Sequence, residues 1–480
     1  MNRIYINPER TRGDIDRKLF GGFAEHMGRC IYGGIYEPDS PHARPDGLRQ
    51  DVLDALRRMR MPIMRYPGGN FVSGYRWRDG VGPERAARRE LAWGAVEPNT
   101  FGTNEFIDFC RELDTEPFLV VNCGDGDMRE ARDWVAYCNN PTDTKLGKLR
   151  ESHGWPEPHN VKYWGIGNEV DGHWQIGYKT PEEYARAFTE FGKVMKWIDP
   201  DIKLVAAGAS DWNGDLLKRA ELLIDQAGDM IDYYDIHWYL RNENDDFAAY
   251  MALSERVEDM LNGFEGIIRA MRLHKRIERE IPLAVCEWNT VFSERIAPHE
   301  GLYNLEDALV VAIQLNALIR HARTVRMANI AQVVNILGPL LTRTDDLLLQ
   351  TIFYPFELYS TLCGSVALDP FWTGETFEGG GRTGVRVLDV TATLDGRELV
   401  VFIVNRSMDS GEVEIKLDEG RFTGEVDRDV IDGPGIKAKN TFESPETVIT
   451  RELPPLQAEG QTLTVTLEPH SVTALRCEIA

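Results

Sequence analysis

The chain has 480 residues, 42% of them hydrophobic and 27% charged, and a formal net charge of −23. That length exceeds one compact core and suits a large barrel plus a smaller domain. The acidity repels phosphate backbones with no Lys/Arg cluster to offset it, and no apolar run reaches bilayer length, which argues against nucleic acid and membrane as partners.

The opening stretch "MNRIYINPERTRGD" turns charged within a few residues and has no apolar segment of the secretory kind. The seven cysteines include no CxxC pair, and Cys110, Cys123 and Cys286 sit inside apolar runs. Both features are read as those of a cytoplasmic protein with reduced thiols. "RIYIN" is a short strand without a barrel partner, expected to join a sheet built from the other end of the chain.

From about residue 15 to residue 363, short apolar strands alternate with amphipathic helices. The strands are "LFGGFAEH", "PIMRYPGG", "PFLVVNCG", "VKYWGIGNE", "IKLVAAGA", "IDYYDIHWY", "LAVCEWN" and "MANIAQVVN". Eight parallel strands with helical crossovers close a (β/α)8 TIM barrel. Thr180, Pro181 and Glu183 give one helix start; Asn304 and Asp307 give another. The stripe Leu305, Leu309, Ala312, Leu315 and Ile319 predicts one apolar face covering a strand. After Cys363 the texture changes to period-two alternation, as in "GVRVLDVTATL", "RELVVFIV" and "TLTVTL", with Asp395-Gly396 as a hairpin signal. An α/β chain is therefore expected, with a barrel at 15–363 and an antiparallel β-sandwich made of 1–14 plus 364–480.

In such a barrel the chemistry sits at the carboxyl ends of the strands. Glu25 and His26 end the first strand, Arg65 and Asn70 the second, Asn168 and Glu169 the fourth, His237 and Tyr239 the sixth, Glu287 and Asn289 the seventh, and Gln332 and Asn335 the eighth. Glu169 and Glu287 facing one another can divide the breaking of a glycosidic bond between them. Asn168 and flanking aromatics would keep Glu169 protonated, while Arg65, His237 or Tyr239 would stabilise Glu287 as an anion. Of the aromatics nearby, Trp288 is the favoured sugar platform, and Trp77 and Trp174 read equally well as core. His26 reads best as a hydrogen-bonded support of the pocket wall; His237 reads equally as a support of the nucleophile or as packing. The ten histidines include no HxH or HExxH pair, which argues against a metal-dependent barrel hydrolase.

"FGGFAEHMGRCIYGGIYEP", "RYPGGNFVSGYRWRDGVGP", "KYWGIGNEVDGHWQIG", "CEWN", "YNLEDAL" and "ANIAQVVNILGP", in that order over nearly the whole chain, resemble the α-L-arabinofuranosidases of glycoside hydrolase family 51. The resemblance implies a retaining double displacement with no metal or organic cofactor, with Glu169 as acid/base and Glu287 as nucleophile. It implies that Glu25, Arg65, Asn70, Asn168, His237, Tyr239 and Gln332 hold the furanose or support the glutamates. It further implies arabinose-containing oligosaccharides as substrates and a homo-oligomer, often a hexamer. The loop "NCGDGDMREARDW" is more acidic than is usual there, so Asp125 and Asp127 are expected to alter acceptance of the leaving sugar. The alternatives are β-xylosidase, galactofuranosidase or endo-glucanase specificity on the same scaffold, or a non-catalytic carbohydrate-binding protein.

Overall fold

The computed structural model describes residues 2–210 and 215–480. Eight parallel strands close into a barrel: Gly21–Phe23, Ile63–Tyr66, Glu116–Val121, Tyr163–Ile166, Lys203–Ala209, Tyr233–Leu240, Leu283–Thr290 and Val325–Ala331. Each pairs with the next in the chain, and the eighth returns to the first through Ile330 beside Gly22. They are the eight strands expected. Their near-continuous apolar runs follow from burial on both faces, by helices outside and by a small interior cluster including Ile63, Phe118, Val205, Cys286 and Met327.

Two helices begin as the sequence predicts. Pro181–Ile198 starts from a capping box in which Thr180 accepts from the Glu183 backbone and the Glu183 side chain from the Thr180 backbone. Leu305–Arg320 starts from the matching Asn304 and Asp307 pair. The one-sided stripe expected of the second helix is incomplete, however, because all of its residues are buried. One side covers the barrel, and the other is covered by a sheet that alternation within the helix cannot reveal.

That sheet has seven strands in the order Thr11–Asp14, Val366–Leu368, Leu388–Asp395, Glu398–Asn405, Ser471–Ile479, Phe422–Ile431, Thr450–Gly460. A four-stranded sheet lies opposite it, in the order Phe371–Thr373, Asn2–Ile6, Gly411–Leu417, Thr462–Leu467, so the first strand does join the carboxyl-terminal sheets. Leu399, Val401 and Ile403 pack with Ile4, Ile415 and Val465 between the sheets, whereas Val400, Phe402 and Val404 belong to the barrel's core. "LVVFIV" is thus buried on both faces, not half-buried. In the hairpin, Asp395 pairs with Glu398, which moves the two-residue loop to Gly396–Arg397, one residue beyond the expected position; Gly396 takes the φ of +58° that the turn requires.

Barrel and sheet are joined by a buried ion pair. Arg320 Nη1 lies 2.9 Å from Asp389 Oδ1, and Asn316 donates to the same oxygen at 2.7 Å. Removing one partner of such a pair leaves a buried charge uncompensated. Asp389→Ala is expected to lower stability by about 3 kcal/mol, the low end for a broken buried pair because Glu258 still faces Arg320. Urea unfolding checks this, with Arg320→Met/Asp389→Leu recovering most of the loss.

All seven cysteines are free and buried. Among the described residues, no helix is long and apolar enough to cross a membrane.

Candidate active site

Glu169 follows the fourth strand on a sharp turn. Gly167 has φ +79° and Glu169 itself φ +42°, a left-handed conformation that costs a non-glycine residue of order 1–3 kcal/mol and is held where the surroundings over-determine it. The turn aims its carboxylate across the barrel mouth: Oε1 lies 3.1 Å from His237 Nδ1, and Oε2 accepts from Trp174 Nε1 at 2.8 Å. Glu287, on the seventh strand, accepts from Arg65 Nη1 at Oε1 and from the Tyr239 hydroxyl at Oε2, both at 2.8 Å. A carboxylate oxygen of each glutamate lies within 4.8 Å of one on the other. Oxygens this close fit the roughly 5–5.5 Å between carboxyl groups of retaining enzymes better than the roughly 6.5–9.5 Å of inverting ones, which hold a water between them.

The supports differ in detail from the expected ones. The Asn168 amide makes no hydrogen bond to Glu169; its Oδ1 accepts from Arg65, which thereby links the fourth strand to the nucleophile's strand. His237 hydrogen-bonds Glu169, and its Nδ1 stands 3.7 Å from Glu287 Oε1. Its Nε2 lies 2.9 Å from Asp235 Oδ2. Although burial works against charge, Asp235 and Glu287 hold the imidazole well above its usual range. Burial and the Glu287 carboxylate push the Tyr239 phenol far up, so it stays a donor.

Glu25 completes the pocket floor. Oε1 accepts from the Phe71 backbone at 3.1 Å and from Trp93 Nε1 at 3.2 Å, and Oε2 accepts from Gln332 at 2.8 Å. Burial and the nearby Glu287 charge push its carboxyl up to about 7. A Cβ placed on Gly69 would stand 3.0 Å from Glu287 Oε1, 3.3 Å from Glu25 Oε2 and 3.6 Å from Asn168 Nδ2. Three polar groups therefore converge on one spot that a glycine keeps open. Asn168 Nδ2 and Gln332 Oε1 are buried there without protein partners. Such an arrangement suits a small polyhydroxylated ring, which supplies donors and acceptors on all sides.

Asn70 sits at the rim, accepting from Gln175 at 2.7 Å. His26 supports the wall: its ring nitrogens meet Glu97 and Tyr66, and the ring stacks on Phe71. Asn289 and Asn335 tie loops together through backbone carbonyls, at Ala331 and Leu337 for the former and at Arg29 and Gly33 for the latter.

Trp288 is not in the pocket. It is fully buried and stacks on Phe356 of the helix Phe353–Leu362. The reason is a β-bulge. Ala284 and Cys286 face the barrel interior, so simple alternation would turn Glu287 outward and Trp288 inward. The register slips between Val285 and Trp288, which re-aims Glu287 into the barrel and sends Trp288 to the helices. Trp77 is likewise core, stacked on Trp134. Among the described residues, the aromatics at the mouth include Trp174, which is 55% exposed, and Trp93, whose ring meets His299 edge-on. Trp93 was missed because it lies on a long loop without a strand-end signal. Asp235 was missed as well, although its place two residues before His237 on one strand put it on the same face.

In the acidic loop, Asp127 caps the helix Met128–Asn139, and Asp125 accepts from Asn122 and pairs with Arg76 at 3.0 Å. Both carboxylates have local structural partners. Glu169, His237 and Glu287 also have a spacing that can surround a cation. Their donors are already committed, since His237 engages carboxylates through both nitrogens and Arg65 places a fixed positive charge on Glu287.

Family profiles described as "Alpha-L-arabinofuranosidase 1 domain" and "Alpha-L-arabinofuranosidase C-terminal domain" match residues 55–257 and 287–471. The intracellular exo-α-(1→5)-L-arabinofuranosidase of Halalkalibacterium halodurans is 38% identical, covering 89% of each chain. The enzyme named intracellular exo-α-(1→5)-L-arabinofuranosidase 1 in Bacillus subtilis is 36% identical, covering 91% of each. The crystal structure of the Thermotoga maritima α-L-arabinofuranosidase arabinose complex superposes with a TM-score of 0.92 at 34% identity, over 100% of both chains.

Proposed function

The chain belongs to the α-L-arabinofuranosidases of glycoside hydrolase family 51, and we propose Glu287 as the nucleophile and Glu169 as the acid/base of its retaining double displacement. It is an exo-acting enzyme that removes terminal α-L-arabinofuranosyl residues. Glu287 attacks the anomeric carbon while Glu169 protonates the departing oxygen. Glu169 then takes a proton from the water that releases the sugar. The observation that carries the assignment is the separation of at most 4.8 Å between oxygens of the two carboxylates, one on the seventh barrel strand and the other on the turn that follows the fourth.

Glu25, Asn168 and Gln332 hold the furanose hydroxyls, with Arg65, His237 and Tyr239 supporting the glutamates. Trp174 and Trp93 flank the entrance where the rest of the substrate leaves the pocket. The substrates are fragments of arabinan or arabinoxylan, processed in the cytoplasm by a homo-oligomer of residues 15–363 as catalytic barrel and 1–14 plus 364–480 as sandwich. The intracellular names of the relatives and the free thiols support the compartment. Proton NMR of aryl α-L-arabinofuranoside hydrolysis tests the reaction: the α-anomer is expected first, and a first-formed β-anomer overturns retention.

Glu25 makes sugar binding pH-dependent. Ionised, it accepts hydroxyl hydrogens with both oxygens, so arabinose affinity is expected to rise through an inflection near 7, where burial and Glu287 place this carboxyl. Glu287→Gln removes the neighbouring charge and moves the inflection to lower pH, and Glu25→Gln abolishes it. Tryptophan fluorescence reads the titration, because Trp93 donates to Glu25.

A further inference from the structure

We propose that Asp235 is a positioning residue of this reaction, acting through His237 to keep one fixed positive charge in the gap between Glu169 and Glu287. The inference rests on the assignment of those two glutamates above.

Asp235 is 6% exposed and His237 4%. One carboxylate oxygen of Asp235 meets His237 Nε2 at 2.9 Å, and the other accepts from the backbone N–H of Cys286 at 2.9 Å, at the bulge that aims Glu287. A single side chain thus fixes both the imidazole and the nucleophile's strand. The far nitrogen, Nδ1, faces Glu169 Oε1 at 3.1 Å and Glu287 Oε1 at 3.7 Å. Asp235 and the nucleophile Glu287 are carboxylates before the reaction and accept only, so acceptors stand at both ends of the ring whether or not Glu169 carries its proton. A neutral imidazole would turn a lone pair toward one of them, whereas the imidazolium presents an N–H and its positive charge to each. Other charged or titratable groups close by are the Cys286 thiol, which burial and Asp235 keep protonated, Arg65, bonded to Glu287, Asp171, which lines the same recess and accepts from Ser210, and Glu25 beyond Glu287. Tyr239 is a neutral donor.

This charge has a use in both half-reactions. During glycosylation Glu287 loses its negative charge as its oxygen bonds to the anomeric carbon. Glu169 gains one as its proton goes to the leaving oxygen and the glycosidic bond breaks. The negative charge moves from one neighbour of Nδ1 to the other, and deglycosylation moves it back. A cation held between the two oxygens meets the charge at either end without reorganising.

The test is the pH dependence of kcat/KM for Asp235→Asn, His237→Gln and the double variant, with thermal unfolding recorded for each. Asp235→Asn is expected to lower kcat/KM roughly 10- to 100-fold, less than the full contribution of a general acid/base. Both limbs of the profile should move to higher pH by about one unit or more, because carboxylates that lose a nearby cation hold their protons longer. The double variant should be no worse than His237→Gln, and Asp235→Glu should keep the limbs in place. Unmoved limbs in Asp235→Asn, or losses that multiply in the double variant, overturn the proposal. If Asp235→Asn does not fold, unmoved limbs in His237→Gln overturn it equally. Glu287→Ala is assayed in parallel. Turnover surviving there overturns the glutamate assignment, whereas an inert Glu287→Ala beside unmoved limbs overturns the role of Asp235 alone.

Discussion

Replacing Glu287 by alanine is expected to reduce turnover of every arabinofuranoside by on the order of 10⁴-fold or more, the scale seen when a covalent catalyst loses its nucleophile. Neither half-reaction has a substitute, because no other carboxylate is held at the same place. Glu25 is near, but its oxygens are engaged by Phe71, Trp93 and Gln332. The substitution also leaves Arg65 buried without its ion-pair partner. Azide offers the decisive readout. A small anion can enter the space vacated by the carboxylate, and attack from that side yields the β-azide, with inversion. Rescue that gave the α-azide would remove Glu287 from the role of nucleophile.

Replacing Glu169 by alanine is expected to act unevenly, and the unevenness identifies its role. Substrates with poor leaving groups need the proton and should slow by about 10²–10⁴-fold. Activated aryl substrates should still form the glycosyl-enzyme, giving a burst followed by slow release, because water then lacks its base. Azide needs no base and should restore turnover with the α-azide as product. Equal losses on all substrates, with no burst, would count against the acid/base assignment. The variant also removes the acceptor of Trp174 and one of the two glutamates that face His237 Nδ1. Trp174 is largely exposed, so its release should affect binding at the entrance more than folding.

Local pattern was enough to find the eight barrel strands, the capped starts of Pro181–Ile198 and Leu305–Arg320, and the strand "TLTVTL" with Leu463, Val465 and Leu467 buried. Capping residues and apolar periods are written into neighbouring positions, and strand ends collect the polar groups of a barrel. Glu25, Arg65, Asn168, Glu169, His237, Tyr239, Glu287 and Gln332 were all nameable for that reason, and the structure brings them together. Tertiary structure decided the rest. The bulge at Cys286, which turns Glu287 inward and Trp288 outward, arises from pairing with two neighbouring strands whose register a single strand does not carry. The second covered face of Leu305–Arg320 depends on a sheet whose strands come from both ends of the chain, Thr11–Asp14 before the helix and Val366–Leu368 onward after it. The meeting of Trp93 with His299, and of Asp235 with Cys286, likewise joins segments far apart in sequence. Periodicity states which way a side chain points relative to its neighbours in the chain; what it meets there is set by how separate strands slide against one another, through packing and hydrogen bonding that no local stretch contains.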